Sequence, residues 1–78
     1  MGAPGRGRGP VLGTVRTFDE QRGLGVVADD LGVLRPFHCT AIAGGSRTIE
    51  VGTEVVFRPV AGHLGREEAA DVRPLTGR

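Results

Sequence analysis

The chain of 78 residues contains no tryptophan, no tyrosine and no lysine, and only one cysteine and three phenylalanines. Because Cys39 stands alone, no disulfide can form within the chain, and a reducing cytoplasm is the expected location. No apolar run approaches the ~20 residues needed to span a bilayer, and the amino terminus carries no apolar signal core. A soluble, non-secreted domain without membrane contact is therefore expected. Strong helical periodicity is missing too. With 14 glycines and few aromatics, the sequence favours short strands joined by tight turns. No acid pair, no nucleophile with a base and no phosphate-loop fingerprint appears at a meaningful spacing. Cys39, His38 and His63 do not make a tetrahedral zinc set. The expectation is a binding domain, not an enzyme, with no cofactor and no metal.

The charge that is present is unevenly placed. All ten basic residues are arginine, but Arg6, Arg8 and Arg78 lie near the ends, which leaves seven arginines against nine acids in the body. Such a body has no overall field that draws in polyanions, so any nucleic-acid binding would have to use local arginine clusters.

Residues 1–10 alternate Gly with Arg and Pro and read as a disordered leader similar to short arginine-glycine tracts; 11–75 read as one domain and 76–78 as a tail. Within the domain, the run Arg22, Gly23, Leu24, Gly25, Val26, Val27 is the most informative stretch. Leu24 and Val26 share one face at a strand's period of two, and Gly23, Gly25 and Val27 take the other. Glycines inside a strand point to a sharp bend or a close approach. A first strand over Val11–Phe18 leads into it through the polar turn Asp19–Arg22, and Asp29–Gly32 turns the chain into a third strand, Val33–His38. Pro36 places that strand at an edge or a bulge. A helical turn is expected at Cys39–Ile42, then a long connection, a fourth strand over Thr53–Val60 with Val55 and Phe57 inward, and a fifth over Glu67–Val72 with Ala70 and Val72 inward. The predicted fold is an all-β, small, closed barrel of five antiparallel strands.

The succession Gly13, Thr14, Val15, Arg16, Thr17, Phe18, then Arg22 to Val27, then His38, Cys39, Thr40, Ala41, Ile42 resembles the bacterial cold-shock domain. The likeness continues through Arg47, Thr48, Ile49, Gly52, Val55, Phe57, Ala69, Ala70 and Val72, over about Val11–Leu75. It implies a five-stranded OB-type barrel whose relatives bind single-stranded RNA or DNA by stacking bases on aromatic side chains of the first three strands. The skeleton matches better than the binding surface. The family's first-strand tryptophan is Thr17 here, its two second-strand phenylalanines are Leu24 and Val26, and its third-strand phenylalanines are Pro36 and Cys39. A loop aromatic falls near Ser46, and the arginine of the last hairpin loop aligns with Leu64, with Arg66 close by. Five lost stacking platforms at ~1–3 kcal/mol each amount to ~5 kcal/mol even at the low end, or three to four decades of affinity.

The resemblance therefore implies weak single-stranded nucleic-acid binding through Arg16, Phe18, Arg22, Leu24, Val26 and His38. The alternative is an OB-type module that has lost this activity and uses the Leu24 and Val26 face for a protein partner or a second copy of itself. Phe37 aligns with an inward valine; a register slip at Pro36 would instead turn it outward and restore one platform.

Overall fold

The computed structural model describes residues 9–75; Arg6, Arg8 and most of the expected leader, and the 76–78 tail, lie outside them. Five antiparallel strands form one sheet in the order β3-β2-β1-β4-β5, with β1 Val11–Asp19, β2 Leu24–Asp29, β3 Leu34–His38, β4 Glu54–Ala61 and β5 Glu67–Pro74. Short 3-10 turns at Cys39–Ala41, Ala43–Gly45 and His63–Gly65 occupy the connections.

Both early turns are built by aspartate. Asp19 Oδ1 accepts the backbone N–H groups of Gln21 and Arg22, and Asp29 Oδ1 accepts those of Leu31 and Val33, which replaces the ladder partners these amides lose at the bend. Val15, Val27, Phe37, Ile42, Val55, Phe57, Ala69 and Val72 form the core. Phe37 is 2 % exposed, so the third strand keeps its inward register and no slip restores a platform there.

Gly25 is inward beside Phe37. A Cβ at this position would sit 2.6 Å from the Phe37 ring and 2.8 Å from the Thr17 carbonyl oxygen, so Gly25 lets β1 and β2 close over the aromatic ring. Gly25→Ala is expected to lower stability by about 2 kcal/mol, because the carbonyl cannot yield as a side-chain tip can. Chemical denaturation measures this, and an unchanged midpoint would contradict it.

Two departures from simple alternation shape the sheet. Val15 pairs with Val27 but Thr17 pairs with Val26, which makes Arg16 an extra residue in β1. The second is in β5, where Arg58 pairs with Ala70 and Val56 with Arg73. Asp71 takes a left-handed φ of 54° within that bulge. Ala70 was expected inward with Val72, but Ala69 is the buried alanine. The extra residue between Ala69 and Val72 shifts the inward positions from a spacing of two to three.

The expected closed barrel is reached only in part. Among the described residues no ladder joins β3 to β5; a single parallel bridge, Ile42 to Val72, lies nearby. The gap is spanned by a side chain. Arg35 on β3 is 6 % exposed, donates through Nη1 to Asp29 Oδ2 and through Nε to Glu67 Oε1 on β5, each at 2.8 Å, and lies 5.7 Å from the centre of the Phe57 ring. A buried guanidinium needs such partners for its charge. They are what fastens the open edge.

Candidate nucleic-acid interface

The antiparallel register puts Thr17, Val26 and Pro36 in one row across β1, β2 and β3, and Asp19, Leu24 and His38 in the next. These side chains face away from the core. Thr17, Leu24, Pro36 and His38 are exposed and Val26 is half-buried, so the face is a narrow, mostly apolar strip. Pro36 is accommodated because β3 has a ladder partner on one side only.

Arg16 projects from the bulge in β1 and Arg22 from the turn before β2, and both are exposed. For arginines that could contact phosphate, Arg16, Arg22 and Arg58, the ordinary alternative is an ion pair with Asp19, Glu20 or Glu54; Arg58 lies instead beside Asp71. Among the described residues neither Arg16 nor Arg22 forms an ion pair, while Asp19 spends an oxygen on its own turn. Their guanidinium groups are open to an anion.

His38 ends the strip and caps the following 3-10 turn. Its Nδ1 accepts the Thr40 backbone N–H at 3.2 Å and lies 3.0 Å from Thr40 Oγ1. With Nδ1 accepting, the neutral ring carries its proton on Nε2, which makes that atom a donor. Gly23, at a φ of 67°, lets the turn run close beneath this region: its carbonyl accepts the Cys39 N–H at 2.8 Å, and a Cβ there would meet Cys39 Sγ at 2.9 Å. Cys39 itself packs half-buried against the core, so it is not part of the strip.

From His38 the surface opens into a groove of about 500 Å³ lined by His38, Thr40, Ile42, Ser46 and Arg47 among others. Arg47 adds a cation that the sequence reading had not assigned to the site. It lies in a connection that folds back beside His38, and nothing in local spacing announces that return.

Phe18 belongs elsewhere. It pairs with Gly25, shares that residue's inward side, and stacks on Phe37 with ring centres 6.0 Å apart. It borders a separate depression that also carries Glu20 and Glu50, whose charges oppose a phosphate chain. Leu24, Val26 and His38 thus share one outward face, Arg16 and Arg22 are exposed at the bulge and the turn next to it in the chain, and Phe18 lies on the other side of the sheet.

Among the described residues no cluster of three or more potential metal ligands occurs, and no helix is long and apolar enough to cross a membrane. The chain matches no protein-family model and no curated protein.

Proposed function

We propose that this chain is a divergent cold-shock-like domain of the OB type that binds single-stranded RNA or DNA weakly on the outer face of β1, β2 and β3. The observation that carries this reading is the strip itself: Thr17, Leu24, Val26 and Pro36 offer a mostly apolar bed, His38, Arg16 and Arg22 lie beside it, and the one acid in these rows, Asp19, is engaged by the amides of its own turn. In this arrangement bases lie on the aliphatic surface and against the His38 ring, while the open guanidinium groups meet phosphates. Aliphatic side chains exclude water but give a base no π face, hence the weak affinity. The antiparallel five-strand sheet, and the close approach of Phe37 that Gly25 permits, support the OB assignment.

Fluorescence anisotropy with labelled pyrimidine-rich RNA and DNA tests the proposal at low and physiological salt. Binding is expected to persist at physiological salt, to weaken about fivefold or more in His38→Ala, and to survive Arg6→Gln with Arg8→Gln. Loss of binding on the leader substitutions alone would contradict it.

One observation favours a second reading, self-association through the same face. The apolar surface continues past Val26 to Leu34 and Leu12, which are 60 % and 50 % exposed, farther than one or two bases would cover. Sedimentation at high protein concentration distinguishes the two: a dimer dispersed by Leu34→Glu would favour self-association.

A further inference from the structure

A second feature lies on β4 and β5, away from the His38 end of the strip. The bulge around Asp71 brings Arg58 and Arg73 to one carboxylate. Arg73 Nε donates to Asp71 Oδ1 at 3.1 Å, and Arg58 Nε lies 3.9 Å from Oδ2. Both contacts use the Nε side of the guanidinium. Among the described residues the η nitrogens of these exposed arginines make no ion pair or hydrogen bond. Two cations beside one anion keep a net positive charge.

Between them is a small depression of about 80 Å³ with Pro10, Val56 and Phe57 in its lining. The site therefore sets an apolar floor beside two cationic rims and one carboxylate, an arrangement with a net positive charge that suits a sugar-phosphate unit better than a purely apolar group. Asp71 itself adopts a left-handed φ of 54°, a conformation aspartate visits more readily than most side chains.

Register also connects this feature to the strip. Leu12 on β1 is opposite Val56 on β4, and Val56 is opposite Arg73 on β5, so these three form one outward row. Along β1, Leu12 is five residues from Thr17, a separation of roughly 17 Å at the rise of an extended strand. An OB-type domain accommodates ~4–16 nucleotides, so one bound strand can reach both places. Glu54, opposite Thr14, lies between them and keeps the intervening stretch unattractive to phosphate.

We infer that the Arg58–Asp71–Arg73 clamp is a second contact for a nucleic-acid strand, binding its phosphate backbone where the strand leaves the β1–β3 face. This inference rests on the nucleic-acid reading above and adds a length requirement to it. A strand of about four nucleotides fills the strip alone; one of about twelve also reaches the clamp.

The test compares the full chain with the double variant Arg58→Gln, Arg73→Gln on labelled pyrimidine oligonucleotides of both lengths, over a salt series. Removing two single-strand phosphate contacts should flatten the dependence of log K on log salt by about 1.4 for the long strand and weaken its binding about tenfold at 0.1 M salt. The short strand should be unaffected within twofold. Asp71→Asn, which tolerates the left-handed backbone, should steepen the salt dependence of the long strand and leave the short strand unchanged, because the two guanidinium groups then meet phosphate without a competing carboxylate. Thermal melting verifies that each variant is folded. A wild-type chain that binds both oligonucleotides, with the double variant unchanged in slope and affinity, overturns the clamp alone. An Asp71→Asn salt slope no steeper than the parent's for the long strand also overturns it. A wild type that binds neither overturns the nucleic-acid reading and the clamp together.

Discussion

Replacing Leu24 and Val26 together by phenylalanine is expected to tighten binding of a short single-stranded oligonucleotide about 30-fold. Each base stacked on an aromatic ring is worth ~1–3 kcal/mol, and two platforms at the low end give ~2 kcal/mol. The geometry permits both rings. Leu24 is 45 % exposed beside His38, and Val26 lies between Thr17 and Pro36 on the outward surface, so added volume projects toward solvent and leaves the core packing alone. Anisotropy measures the gain. An unchanged affinity in a folded double variant would mean that bases do not lie over these positions.

Arg35→Ala is expected to lower the melting temperature by about 15 °C. Removing one member of a buried ion pair costs ~3 kcal/mol, and a domain of this size loses ~4–8 °C per kcal/mol. Three separate parts of the chain depend on this guanidinium: the turn-forming Asp29, Glu67 on β5 and the Phe57 ring. Without it, β3 and β5 lose the side-chain link across a gap that has no ladder of its own. The same group governs acid stability. The hydrogen bond from Arg35, helped by the Val33 N–H, holds the Asp29 carboxyl below its ordinary value of 3.8. A depressed carboxyl stabilises the fold fully above that ordinary value, and the contribution is lost as pH falls through the lower folded value. The acid limb of the stability profile should therefore lie below pH 4 in the parent chain and become shallower in Arg35→Ala. A melting temperature within 3 °C of the parent would contradict the role assigned to Arg35.

These two residues also mark what sequence reasoning can reach. Leu24 and Val26 were legible because a regular strand obeys a period of two, and the glycines beside them pointed to a bend or a close approach, which at Gly25 is that of the Phe37 ring. The aspartate turns, the 3-10 turn after His38 and the burial of Phe57 were legible from equally local chemistry. Arg35 was not. It lies between Leu34 and Pro36, and its partner Glu67 is 32 residues away, a relation that no local pattern encodes. The bulges escaped for a related reason. An extra residue is invisible to alternation, so Ala70 was assigned the inward position that Ala69 holds, and Phe18 was grouped with the outer strip although it pairs with Gly25 and packs on Phe37. Arg47 and the Arg58–Asp71–Arg73 cluster depend on how a long connection and a bulge return to the sheet, which is tertiary information.

The central claim is that a nucleic-acid strand lies on the outer face of β1, β2 and β3. Amide chemical-shift mapping of the isotopically labelled full chain, titrated with an unlabelled pyrimidine oligonucleotide at physiological salt, tests it most directly. The predicted result is a set of saturable shifts concentrated at Arg16, Thr17, Arg22, Leu24, Val26 and His38, with the Glu20 and Glu50 side of Phe18 undisturbed. Shifts confined to the leader, or none at saturating oligonucleotide, would contradict it.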